Sequence, residues 1–194
     1  MGKLIAIVGV SGVGKTSLVQ ALNATGGFEV AYEQHDERPF QTLFKQDTGY
    51  ALANQLDYLQ FRAEQEYTLR AGTRPGLIDG GLDLDFYGFT RLFHARGWLS
   101  DPEFDLCRRV HALTRELIPS PDLFVHLTAS AAVVGQRLAA RNRINITSGE
   151  DAKLFEELLS EWLRTVPPDN ILHLDVSNED VDYSRSVKSV LERI

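Results

Sequence analysis

The stretch Gly9-Val-Ser-Gly-Val-Gly-Lys15-Thr16, entered from the apolar run Leu4-Ile-Ala-Ile-Val8, decides how the rest of the chain is read. It satisfies the pattern G-x-x-x-x-G-K-[ST] in full. Gly9, Ser11, Gly12, Val13 and Gly14 make a loop whose backbone can bend until its N–H groups converge on phosphate oxygens. The helix that follows adds the positive end of its dipole. Lys15 reaches the terminal phosphates, the Thr16 hydroxyl is suited to a magnesium ion, and Ser17 continues the first helical turn. The same letters could form a glycine-rich turn with no ligand. Their place between an apolar strand and a helix favours a phosphate site for a nucleoside triphosphate such as ATP.

Outward from this loop, apolar runs alternate with amphipathic stretches, the signature of a parallel sheet wrapped by helices. Strands are expected over 3–8, 28–32, 76–78, 123–127 and 171–174. Helices are expected over 15–23, 49–70 with Thr48 as cap, 85–95, from Ser100 or Asp101 to 118, 131–140, about 154–162, and from 180 onward. On the helix to 118, Phe104, Cys107, Val110, Leu113 and Leu117 fall on one stripe. The sequence shows no repeat or linker, so one domain over 1–194 is expected: an α/β P-loop NTPase fold with a five-stranded parallel sheet.

The bulk numbers narrow the class. A 43% hydrophobic, 24% charged composition is ordinary for a globular protein, and a net charge of -7 repels nucleic-acid backbones and anionic membranes. No apolar run approaches the roughly 18 residues of a membrane span. The N-terminal apolar stretch runs straight into the glycine loop and reads as a strand, not a signal peptide. The single Cys107 excludes an internal disulfide, and the five histidines show no short metal-ligand spacing. A cytoplasmic enzyme acting on small molecules, with no nucleic-acid or membrane partner, is the expectation.

Several polar residues admit two readings each. Asp79 ends an apolar strand, as a magnesium-facing acid or as part of an Asp-Gly-Gly turn. Glu33 follows the second strand, as a proton acceptor or as a solvated strand-end acid. Gln55 and Arg62 lie seven residues apart, so both project from one helix face roughly 10 Å apart, to hold a flat heterocycle or merely to meet water. Arg137, Arg141 and Arg143 either close over a triphosphate or complement their own helix dipole.

These residues together resemble the deoxyribonucleoside kinase family along the whole chain. The resemblance implies transfer of the ATP γ-phosphoryl group, with magnesium, to the 5′-hydroxyl of a deoxyribonucleoside, and a homodimer. It makes Glu33 the general base, Gln55, Arg62 and Asp85 the base-reading group, and Thr16 with Asp79 the metal ligands. It makes Arg137, Arg141 and Arg143 part of an arginine-rich lid over about 137–150, and 174–181, with Asp180 and Val181, the adenine loop. Gly80 departs from the pattern, standing where the family carries an arginine; Arg141 and Arg143 are the cations expected to compensate. Glu150 or Asp151 replaces a missing lid acid as a sugar 3′-hydroxyl contact. The rivals are a thymidylate-type monophosphate kinase, using Arg38 and Arg74 for the acceptor phosphate, and a non-catalytic nucleotide sensor. A regulatory GTPase is disfavoured because no Asn-Lys-x-Asp segment occurs.

Overall fold

A computed structural model describes residues 2–32, 38–140 and 149–194. Among these, strands β1 (Leu4–Val8), β2 (Glu29–Ala31), β3 (Gly76–Asp79), β4 (Leu123–Thr128) and β5 (Ile171–Asp175) form one parallel sheet in the order β2-β3-β1-β4-β5. The described helices are α1 (Lys15–Ala24), α2 (Pro39–Gln46), α3 (Ala51–Ala71), α4 (Leu82–Leu84), α5 (Arg91–Ala95), α6 (Asp101–Leu117), α7 (Ala131–Ala140), α8 (Gly149–Leu163) and α9 (Ser184–Leu191). A π-helical turn, Asp85–Thr90, joins α4 to α5.

β1 is apolar throughout because helices cover both faces of the central strand. Ile5 and Ile7 pack with Leu18 and Leu22 of α1 and Val190 of α9. Leu4, Ala6 and Val8 face the opposite layer, with Leu69 of α3 and Phe155, Leu159 and Trp162 of α8. Truncating either isoleucine to alanine would cost about 2–5 kcal/mol, the usual penalty for a core cavity. Since β1 is flanked by β3 and β4, the strand order reverses at β1, and its carboxyl end opens a crevice where ligands of such sheets bind. Among the described residues no helix is long and apolar enough to cross a membrane.

Five boundaries or faces differ from the sequence expectation. Residues 39–46 form a helix, with Pro39 at its first position, where no element was expected. The turn before α3 is 3-10 over Thr48–Tyr50, and its cap is Asp47, whose carboxylate accepts from the Gly49 N–H, not Thr48. The helix expected over 85–95 begins earlier and contains the π-turn. The last helix begins at Ser184 instead of 180, because Tyr183 holds a left-handed conformation at φ 51°. On α6 the expected stripe holds at Cys107, which is buried, but Leu113 and Leu117 are exposed while His111 is buried. At the start of α6, by contrast, both the N–H and the hydroxyl of Ser100 donate to Glu103, completing the expected cap.

Candidate active site

The loop between β1 and α1 brings three glycines to positive φ, at 148° for Gly9, 80° for Gly12 and 112° for Gly14. Gly14 is the strictest: a Cβ there would overlap the Tyr183 hydroxyl, so the loop and the segment before α9 approach backbone to ring. Arg137 bridges the same two pieces, donating to the carbonyls of Val13 and Val176. It therefore braces the loop from the α7 side. Lys15 Nζ donates to the Gly9 and Val10 carbonyls at 3.0 and 3.1 Å, folded back over the loop it would serve.

Parallel pairing of β1 with β3 sets Asp79 beside Ile7, and so beside the first residues of α1. The Thr16 hydroxyl donates to Asp79 Oδ2 at 2.6 Å. The other oxygen, Oδ1, is buried with no partner among the described residues. A fully buried carboxylate with one oxygen held by a hydroxyl and one left over is a hard, anionic donor set, and a magnesium ion suits it. The residues fit the ion.

The second half of the crevice is built by α3 and the Gly80–Thr90 segment. Arg62 and Asp85, at 3% and 6% side-chain exposure, form an ion pair of 2.7 Å. Such a pair survives burial only with further hydrogen bonds. Arg62 Nη1 donates to Gln65, which donates in turn to the Tyr32 carbonyl at the end of β2. The Thr90 hydroxyl meets Gln55 Oε1 at 2.8 Å and the Asp85 carbonyl at 3.1 Å. The π-turn supplies this last contact, because its wider winding sets Thr90 five residues beyond Asp85. Gln55 and Arg62 are both 2% exposed, so the solvated-face alternative for them is excluded.

Gly80 and Gly81 turn the chain from β3 into α4 at φ 91° and 107°. A Cβ on Gly80 would lie 3.3 Å from Arg62 Nη2. The Arg62 guanidinium thus stands beside the position where the resemblance expects an arginine. Beneath the turn, Glu66 Oε1 accepts from the Leu82 N–H, and Arg115 joins Glu66 to Asp83 at 2.7 and 2.9 Å. Burial pushes the Asp83 carboxyl up, but His111 and Arg115 more than reverse this and hold it below its ordinary range.

Of the expected site residues, the structure gathers Gly9, Gly12, Gly14, Lys15, Thr16 and Asp79 at one end of the crevice and Gln55, Arg62 and Asp85 at the other. Val13 is buried, Ser11 is exposed on the loop and Ser17 is half-buried on α1. Asp180 and Val181 are exposed, Val181 almost fully. Glu33, Arg141 and Arg143 lie outside the described residues. Asp151 is paired with Arg96, while Glu150 is exposed. Arg38 is clasped by Asp57 at 2.5 Å and stacks 4.5 Å from the Phe61 ring centre. Arg74 stands just before β3, at the sheet edge opposite the loop, near Glu29 at 3.7 Å. Thr90, Gln65, Glu66 and Tyr183 were missed by sequence reasoning. Gln65 and Glu66 carried a signal, each lying one turn beyond Arg62.

The chain matches the family model for deoxynucleoside kinase over residues 5–194. It is 24% identical over 196 residues to the deoxyguanosine kinase of Bacillus subtilis (strain 168), covering 94% of this chain and 90% of that protein. Its fold is similar to the deoxyadenosine kinase from M. mycoides with products dCMP and a flexible dCDP bound (TM-score 0.81, 18% identity, 98% and 97% of the two chains). The same holds for that kinase with bound dATP (TM-score 0.79, 18% identity, 98% of each chain). With a phosphate loop at the centre of the sheet, a buried polar cluster at the other end of the crevice and a family match across nearly the whole chain, the protein belongs to the deoxynucleoside kinase family.

Proposed function

We propose that the protein transfers the γ-phosphoryl group of ATP, with magnesium, to the 5′-hydroxyl of a deoxyribonucleoside. The observation that carries this reading is the buried Arg62–Asp85 pair beside Gln55 and Thr90, on the same strand edge as the phosphate loop. That cluster offers hydrogen bonds to an uncharged heterocycle. An acceptor phosphate would call for cations, and the two suggested for a monophosphate kinase give it little support: Arg38 is clasped by Asp57, and Arg74 stands at the opposite sheet edge.

In this reading Lys15 steadies the β- and γ-phosphates, and Thr16 with Asp79 holds the metal. When bound, magnesium neutralises phosphate charge. Gln55, Arg62 and Asp85 orient the base. Glu33 takes the proton of the 5′-hydroxyl, and Arg141 and Arg143 stabilise the transferring group, with Arg137 bracing the loop; Asp180 and Val181 border the adenine of ATP. By name the relatives are kinases of deoxyguanosine and deoxyadenosine, the latter with deoxynucleotides bound, which supports a deoxyribonucleoside acceptor here. A cytoplasmic homodimer is the assembly the family implies. Exposed Tyr67 on α3 and Leu113 and Leu117 on α6 offer apolar contacts for it.

The test is a phosphate-transfer screen over the four deoxyribonucleosides and their 5′-monophosphates, with ATP and magnesium. Turnover of at least one nucleoside, and of no monophosphate, is expected. Turnover of monophosphates alone would place the protein with the thymidylate-type enzymes, and ATP binding without transfer would make it a sensor.

A further inference from the structure

A cavity of about 430 Å³, within the size range of small-molecule sites, lies at the end of the sheet away from the phosphate loop. Pro121 and Asn170, in its lining, stand just before β4 and β5, at the amino ends of the parallel strands, whereas the loop leaves the carboxyl end of β1. Asp83 and Tyr87 line the cavity too, and they belong to the same stretch of chain as Asp85 and Thr90. The cavity thus backs onto the acceptor end of the crevice without being part of it. Phe124 of β4 and Trp162 of α8 add aromatic surface, and the Tyr87 ring stacks on the indole at 5.3 Å.

Two polar groups in this lining are not used by the fold. Asp83, at 6% side-chain exposure, meets both His111 and Arg115 through Oδ1, and its Oδ2 makes no hydrogen bond among the described residues. The Tyr87 hydroxyl makes none either. Despite burial, His111 and Arg115 hold the Asp83 carboxyl ionised, while burial, and then Asp83 itself, keep the proton on Tyr87. Native folds leave few such groups unpaired, and an ionised carboxylate oxygen is the costliest to leave so. A charged acceptor and a hydroxyl donor among aromatic rings complement one edge of a flat heterocycle.

We propose that this cavity is a second ligand site, for a planar heterocycle carrying an amino group beside a ring nitrogen, as adenine and cytosine do. The amino group donates to Asp83 Oδ2, and the ring nitrogen accepts from the Tyr87 hydroxyl. Phe124 and Trp162 supply the apolar contact for the ring. The site lies apart from the positions assigned to ATP and the nucleoside, so the inference stands independently of the transfer reaction.

The probe is adenine, titrated calorimetrically into the full chain with excess ATP and magnesium present. Saturable binding is expected. Purine, which lacks the amino group, should bind about 10-fold or more weaker, because a hydrogen bond to an ionised carboxylate is lost. Tyr87→Phe keeps the ring stack and should weaken adenine by roughly 3- to 10-fold. Ala112 and Ser120 are exposed residues of the lining, so Ala112→Phe should block the cavity and abolish binding with Tm unchanged. Ser120→Phe repeats the block if the first variant folds poorly. Absence of binding to the wild type would show that water alone fills the cavity, and the proposal would fall. It falls equally if purine matches adenine or if Tyr87→Phe binds as tightly as the wild type. Binding that survives both blocking variants would lie in the crevice instead, and that too overturns it.

Discussion

The two ends of the crevice are made differently. The phosphate end is mostly local: apart from Asp79 and the Arg137 brace it is the unbroken stretch Gly9 to Ser17, and its working groups are mostly backbone N–H groups whose direction is set by three glycine dihedrals. The acceptor end is assembled from distant side chains, Arg62 with Asp85, Gln55 with Thr90 and Gln65 with Tyr32, 23, 35 and 33 residues apart. A local device depends little on the rest of the fold once its strand and helix exist. An assembled one is only as good as the packing that brings α3 against the π-turn. Damage at the first should therefore appear in catalysis with stability kept, and damage at the second in both.

The largest effect should follow Lys15→Ala. The side chain is half-buried over the loop and not in either apolar layer, so Tm should move little while turnover falls by about two orders of magnitude or more. Activity assays beside a thermal melt check this. A large drop in Tm would erase the contrast between the two ends.

Asp85→Asn probes the assembled end. It leaves the Arg62 charge buried with a weakened partner, and breaking a buried pair costs about 3–5 kcal/mol when one member is lost outright. Asparagine keeps the shape, so a loss of about 2–4 kcal/mol by denaturant titration is expected, with a higher KM for the nucleoside and an unchanged KM for ATP. Unaltered stability would mean that the ion pair is not what holds Arg62 in place.

Gly80→Ala is milder. It asks a residue with a side chain to adopt φ 91°, with its Cβ 3.3 Å from Arg62 Nη2. About 1–2 kcal/mol of destabilisation is expected, measured the same way. The full Gly80→Arg exchange adds a second guanidinium beside Arg62 and should be worse, not restorative. This chain uses the space for a turn instead of a cation.

The same division explains what was legible beforehand. The phosphate loop, all five strands and the Ser100 cap carry their signals in contiguous residues. Helix α2 was not anticipated because it buries only Phe44 and exposes Phe40 and Leu43, so its apolar pattern is thin. On α6, Leu113 and Leu117 looked like core by spacing, yet the buried position is His111, taken inward by Asp83 across 28 residues. Thr90, Gln65 and Glu66 resembled ordinary solvated helix residues until their partners were in place. Asp79 was readable in two senses; it ends the strand before a glycine turn, and its contact with Thr16 sets it beside the phosphate loop.

The smallest effect concerns a place outside both ends. His126 on β4 and His173 on β5 are register partners, with Nδ1 atoms 3.1 Å apart, so one ring nitrogen donates and the other accepts. Burial, and then the neighbouring His173, lowers the His126 pKa to about 4. In the unfolded chain the ring titrates at its ordinary value near 6.5. Above that pH neither state is protonated, and the ring contributes no pH dependence. As pH falls from about 6.5 toward 4, the unfolded state takes up a proton that the folded state refuses, so stability declines; below about 4 both are protonated and the decline stops. Each pH unit within the window is worth at most about 1.4 kcal/mol for one group, and solvent at this edge reduces the total to about 1 kcal/mol. His126→Leu should remove that part of the slope, seen as a smaller difference in Tm between pH 7 and pH 5 than in the wild type. KM for ATP and for the nucleoside at pH 7.5 should stay as they were. A variant that keeps the full slope would show that the pair contributes nothing to it, and one that changes either KM would tie this strand edge to the crevice.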